Sequence, residues 1–166
     1  MVGLGNPGAD YHGTRHNAGA DVVALLADRH NGRLKLSKAD RALADTVHLS
    51  TGKLLLAFPQ TYMNESGASV ASLARRADLT DDPERVVVVH DELDLPLGVL
   101  RVKRGGGLAG HNGLRSVKAH LHTDAFLRVR IGIGKPSGKN EGATHVLSRP
   151  GKAERTELEI MVQTAA

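Results

Sequence analysis

Apolar residues along this chain fall into short unbroken runs and into stretches with helical spacing, and the two kinds alternate. Met1 to Leu4 is a short apolar start. From Asn17 to His30, apolar Val22, Val23, Leu25 and Leu26 predict a helix with Asn17 as its N-cap. Ala44 to Leu49 and Lys53 to Phe58 flank Ser50-Thr51-Gly52 and predict a hairpin. Ser66 to Arg76 is rich in small residues and helical. Val86 to Val89 is four valines between polar residues, the pattern of a strand buried on both faces. Leu97 to Val102 and Phe126 to Ile133 read as further strands, with a helix from Leu114 to His122 between them. Lys152 to Ala166 closes the chain as a helix. This order predicts an α/β fold with helices packed on a mixed sheet. There are no repeats, and the one linker-like stretch, Gly134 to Gly142, is too short to separate domains. Residues 1–166 are therefore expected to form a single domain.

Composition narrows what such a domain does. Hydrophobic residues make up 40% but aromatics only 2%, so the core must rest on Val, Leu, Ile and Ala. The absence of cysteine excludes disulfides, thiolate nucleophiles and Cys-ligated zinc, and it suits a reducing compartment. No long apolar run spans a membrane and no signal-peptide pattern opens the chain, so a cytoplasmic protein without membrane contact is expected. The net charge of +4 is unevenly spread. Arg101 to Lys139 holds nine Lys or Arg against one acid, Asp124, whereas Asp78 to Asp94 holds seven acids against one base, Arg85. A basic third is the footprint of a nucleic-acid binder, or equally a solvated face with no partner.

The candidate chemistry gathers at the ends of the elements. Residues 105–113, Gly-Gly-Gly-Leu-Ala-Gly-His-Asn-Gly, form a glycine-dense loop leading to a helix N-terminus, where free N–H groups favour an anion. Arg101, Lys103 and Arg104 stand just upstream. The loop suits a phosphate-bearing partner, or is a surface turn that needs glycine only for its geometry. Asn6 follows the first strand, Asn64 precedes a helix, and His90, Asp91 and Glu92 follow the valine strand. Sites in open α/β sheets form at such strand exits, so these residues and His111-Asn112 are expected to share a cleft. Asparagine is unreactive and points to hydrogen-bond recognition or oxyanion support. His16, in the polar loop before the first helix, is a candidate base if Asp91 lies within hydrogen-bond reach; it is otherwise one of nine histidines with a structural role. With no serine or cysteine in a nucleophile elbow, the nucleophile is water. No cluster has metal-ligand spacing. Gly3-Leu4-Gly5-Asn6-Pro7-Gly8 satisfies the dinucleotide pattern, but a polar loop follows it, the acid Asp28 lies within a helix, and no hydride-transfer site is visible.

The segments VGLGNPG at 2–8, Tyr11 with TRHNAG at 14–19, FPQTYMNESG at 58–67, HDELDLPLG at 90–98, GHNGLRS at 110–116 and RVRIGIGKP at 128–136 resemble bacterial peptidyl-tRNA hydrolases over the whole chain. The resemblance implies an α/β/α sandwich on a mixed twisted sheet. It implies a monomeric esterase without metal or cofactor, which cuts the ester between a peptide and the 3′ ribose of tRNA and recycles prematurely released tRNA. On the matching positions His16 is the general base and Asp91 its orienting carboxylate. Asn6 and Asn64 hold substrate and water, and Asn112 positions the water. Tyr11, Phe58, Met63 and His111 form cleft walls. Lys103 and Arg130, with Arg104 beside them, clamp tRNA phosphate. The chain departs from the family pattern at Ala109, commonly glycine, and at Pro150, often aromatic. It opens inside the family's first strand and ends soon after its last helix begins, so both elements are expected to be truncated. A catalytically weak RNA-binding relative is the competing class, separable by testing hydrolysis of an N-acylated aminoacyl-tRNA against its free-amine form.

Overall fold

The computed structural model describes residues 1–136, 138 and 141–166, so Lys139 of the basic third lies outside the described residues. In chain order the elements are β1 Val2–Gly3, α1 Ala18–Arg29, β2 Lys35–Ser37, β3 Ala42–Leu49, β4 Gly52–Pro59, α2 Ser66–Arg76, β5 Val87–Glu92, β6 Leu100–Arg104, α3 Asn112–Leu121, β7 Leu127–Gly132, α4 Gly142–Leu147 and α5 Lys152–Ala165. The strands form one sheet in the order β2-β3-β4-β1-β5-β7-β6. β4, β1, β5 and β7 run parallel, while β2, β3 and β6 add antiparallel pairings at the two sides. The sheet is thus mixed, as the alternating pattern predicted.

Two layers of helices cover it. On one face Val2, Leu4 and Val88 pack with Val70 and Leu73 of α2 and Leu114 and Val117 of α3. On the other face Val89, Val129 and Ile131 pack with Ala18 and Val22 of α1 and Leu158 of α5. Adjacent Val88 and Val89 enter opposite layers, which is why the valine run carries no alternation. This is the expected α/β/α sandwich. No helix among the described residues is long and apolar enough to cross a membrane.

Several boundaries differ from the sequence reading, each for a local reason. β5 does not stop at Val89; its ladder with β7 continues through His90↔Arg130 and Asp91↔Ile131 to Glu92↔Gly132, so the three polar residues are strand residues. β6 begins at Leu100 because Pro96 and Gly98, at φ +81°, form a turn first. α3 starts two residues before Leu114, since His111 caps it. Asn17 makes no capping bond to α1; it ends a 3-10 turn, Arg15–Asn17, and its amide is used elsewhere. β2 and α4 were not legible.

Candidate active site

Asp91 leaves the sheet near the end of β5, only 2% exposed. Its Oδ1 accepts two hydrogen bonds, from His16 Nδ1 at 2.8 Å and from His111 Nε2 at 3.1 Å. The tautomer of His111 follows from its capping role. Its Nδ1 accepts the N–H groups of Gly113 and Leu114 at 3.1 and 3.3 Å, so the ring proton sits on Nε2 and is donated to Asp91. Burial alone pushes the Asp91 carboxyl up, but the facing His111 and His16 outweigh it and hold the group well below the usual carboxylate range. Asp91 is therefore an anion. His16 gives its Nδ1 proton to that anion, which leaves the Nε2 lone pair to take a proton from another molecule.

The fold brings His16 there through an unusually close contact. A Cβ on Gly19 would lie 2.2 Å from the Val89 carbonyl oxygen, and one on Gly3 would lie 2.0 Å from that of Gly19. Only glycine at both positions lets α1 rest on the backbones of β1 and β5. Arg15, 6% exposed, ties the turn from the other side, donating to the carbonyls of His145 and Ser148 and pairing with Glu154 at 2.5 Å. Asn17 clasps Asn6, accepting its N–H and donating to its carbonyl, both at 2.9 Å. The Asn6 Oδ1 in turn accepts the Met63 N–H at 2.8 Å, which fixes the amide and leaves the Nδ2 donors for a ligand.

A cavity of about 270 Å³ opens against this cluster, lined by His16, Asp91, His111 and Asn112 on one side and by Gly142, Ala143 and Val146 of α4 on the other. A larger one of about 830 Å³, between residues 8–13 and α5, holds none of the cluster. Asn112 is exposed on the first turn of α3. Glu92 also lines this cavity, whereas Asn6 and the remaining expected cleft residues do not. Met63 is buried against Gly113 and Leu4, Phe58 is half-buried in β4, and Asn64 is exposed on a 3-10 turn. Tyr11 packs edge-on to Tyr62 with ring centroids 6.4 Å apart. His90 went unassigned in the sequence because nothing local distinguishes it. It is fully buried, donates from Nδ1 to the Asp91 carbonyl at 2.6 Å, and meets His111 edge-on at 5.0 Å. Burial, with the neighbouring His111, pushes its pKa down to about 3, so it is neutral. The expectation that no cluster has metal-ligand spacing is corrected. His16, Asp91 and His111 each offer one ligand atom, all within 4.8 Å of one another. Three separate segments supply them, so no linear spacing revealed them.

The profile of the peptidyl-tRNA hydrolase family matches residues 1–166. The chain belongs to that family. A peptidyl-tRNA hydrolase from Frankia alni is 50% identical over 166 residues, covering all of this chain and 83% of its own length. One from Nocardia farcinica is 48% identical, covering all of this chain and 85% of its own. The crystal structure of peptidyl-tRNA hydrolase from Acinetobacter baumannii at 1.00 Å superposes with a TM-score of 0.92 at 40% identity, covering 98% of this chain and 81% of that one.

In this peptidyl-tRNA hydrolase family member Arg101, Lys103, Arg104, Arg128 and Arg130 of the basic third lie on edge strand β6 and its neighbour β7, while Arg115 and Lys118 lie on α3. Lys103 faces Arg128 and Arg101 faces Arg130 across the ladder, so all four share one face of the sheet. Arg130 is held by Glu92 at 3.1 Å. Arg104 alternates to the opposite face and pairs with Glu84 at 3.0 Å. Ala109 is exposed and takes φ +47°, the left-handed conformation that glycine favours.

Proposed function

We propose that this protein hydrolyses the ester between a peptide and the 3′-terminal ribose of tRNA, with His16 activating water, and so returns tRNA from prematurely released peptidyl-tRNA. The observation that carries the reading is the 2.8 Å bond from His16 Nδ1 to an ionised, buried Asp91. Water bound at His16 Nε2 loses a proton as its oxygen attacks the ester carbonyl. Asp91 stabilises the resulting imidazolium without taking the proton, because its own affinity for one is depressed. His111 supports Asp91 from the second side. The free Nδ2 donors of Asn6 and the exposed amide of Asn112 supply hydrogen bonds for the water and for the oxyanion. Collapse of the tetrahedral intermediate releases the ribose oxygen, which regains its proton from His16. Tyr11, Phe58, Met63 and Asn64 border the substrate beyond the cavity, and Lys103 and Arg130 meet tRNA phosphate. Arg104, on the other face, adds positive potential at longer range.

The deciding experiment is incubation with an N-acetylaminoacyl-tRNA and its free-amine counterpart. Release from the first alone is expected, and release from neither would favour a binding protein. The cluster's ligand spacing also raises a metal-assisted reading. The tautomer of His111 opposes it. A metal on Nε2 would move the ring proton to Nδ1, where two backbone N–H groups already point, and the α3 cap would be lost. Activity is therefore expected to survive exhaustive EDTA treatment; loss with EDTA and recovery with a divalent cation would establish the metal reading instead.

A further inference from the structure

Arg128 is the second residue of β7, 1% exposed. Its Nη1 donates to the Gly107 carbonyl at 2.8 Å, while Nε and Nη2 are buried with no hydrogen-bond partner among the described residues. Buried charged donors left unpaired are costly, so such a group calls for an explanation. The acids nearby are committed elsewhere. Glu92 accepts from Arg130 Nε and from the Asp94 N–H, both at 3.1 Å, and Asp124 accepts from Lys118 at 2.8 Å. Arg128 is thus a buried cation without a paired carboxylate among the described residues, set beside Arg130 and across the ladder from Lys103.

A second observation falls on the same spot. Gly106 lies over this pair with a left-handed φ of +87°, and a Cβ there would sit 2.9 Å from Lys103 Nζ and 3.5 Å from Arg128 Nη2. The ammonium and the unpartnered guanidinium edge flank one point, the place a Gly106 side chain would fill. Gly105, at φ +61°, and Gly107, with open space at its Cβ position, continue that thin cover.

We propose that Arg128 and Lys103 together hold one phosphate of the tRNA, admitted when the Gly105–Gly107 segment lifts and the Gly107 carbonyl gives up its place on the guanidinium. The inference rests on the reading of this protein as acting on peptidyl-tRNA. In the closed form one carbonyl occupies one arm of the fork. In the open form two phosphate oxygens take Nε and Nη2 in the bidentate geometry that guanidinium matches, and Lys103 adds a point charge. Neither residue touches the ester.

The test uses the intact chain with Arg128→Met, Arg128→Lys and Lys103→Ala. Thermal midpoints are measured, with KM and kcat for an N-acetylaminoacyl-tRNA over a KCl series. Arg128→Met keeps the volume and removes the unpaired charge, so its midpoint should match or exceed that of the parent. Loss of a charged bidentate contact should raise its KM roughly tenfold or more and flatten the salt dependence. Arg128→Lys should show a smaller rise, since it keeps the charge and loses the fork. If Arg128→Met fails to fold, Arg128→Lys decides. A KM within twofold of the parent in a folded Arg128 variant overturns the proposal. When that happens and Lys103→Ala still raises KM, the loop-covered site falls and the tRNA reading stands. Unchanged KM in every variant removes phosphate binding from this edge altogether, and no turnover of the N-acetylaminoacyl-tRNA by the parent removes the reading on which the proposal rests.

Discussion

Asp91 and Arg128 are both buried, both charged and carried on adjacent strands of one sheet, yet their surroundings treat them in opposite ways. Asp91 has its charge answered twice, by His16 and His111, and each histidine is held in turn: His111 by the N–H groups it caps, His16 by the Arg15 turn. Arg128 has one carbonyl and, among the described residues, no partner for two of its nitrogens, under a strip of glycine. The difference matches the two tasks proposed for them. Proton transfer gains from groups already oriented, because any reorganisation adds to the barrier. Holding a polyanion gains from donors kept in reserve, since charge and counterion release supply the affinity. The cluster is organised at the expense of freedom, the basic edge at the expense of satisfaction.

The largest effect should come from the organised side. His16→Ala is expected to lower kcat by roughly 10² to 10⁴, towards the upper end because the other ionisable groups lining the cavity, Asp91, Glu92 and His111, are each engaged in hydrogen bonds, with KM for peptidyl-tRNA nearly unchanged. Retention of rate within a few-fold would mean that the cluster is not the reaction centre.

Next is the contact that positions it. A Cβ at Gly19 would meet the Val89 carbonyl at 2.2 Å and the Leu4 N and O at 2.8 and 2.9 Å, all backbone that cannot swing aside. Gly19→Ala should therefore destabilise the fold by about 3 kcal/mol, the upper part of the overpacking range, and reduce the activity of whatever remains folded. A urea midpoint equal to the parent's would show that α1 can shift without cost.

On the basic edge a smaller, differently shaped loss is expected. Lys103→Ala should raise KM for full-length peptidyl-tRNA several-fold and reduce the slope of log affinity against log salt by roughly one. Turnover at saturation should be little changed. A loss in kcat instead would place Lys103 within the cleft and blur the division between the two regions.

A further effect, spread over several pH units, is in acid stability. His90 is neutral when folded, with its pKa pushed down to about 3, whereas an unfolded His90 takes a proton below about 6.5. Between those values the unfolded chain binds the extra proton, so stability falls as pH falls, by about 1.4 kcal/mol per pH unit for one such group. Asp91, depressed further still, adds its own loss only below the ordinary carboxylate range near 3.8. His90→Gln should remove about one proton from the slope between pH 6 and 4, read from denaturant midpoints; an unaltered slope would show that another group is responsible.

Apart from β2 and α4, the elements were legible because each is decided locally. The valine run must be a strand covered on both sides, the spacing of Val22, Val23 and Leu26 must be a helix, and a loop as rich in glycine as 105–110 must be irregular. His16, Asp91 and His111 could be nominated from their places near element ends and from the family motifs that they complete. Tertiary structure alone decided how they combine. His16 and Asp91 are 75 residues apart in sequence, and their bond exists because Gly3 and Gly19 let α1 settle onto the sheet. The tautomer of His111, the neutrality of His90 and the metal-ligand spacing of the cluster all follow from that packing. The basic third divides the same way. Charge counting found it, but strand alternation sent Arg104 to the far face, Glu92 took Arg130, and Arg128 was left buried without a paired carboxylate among the described residues. A count of charges records composition, whereas what a charge can do depends on what lies within a few ångströms of it, and that is settled only when distant segments meet.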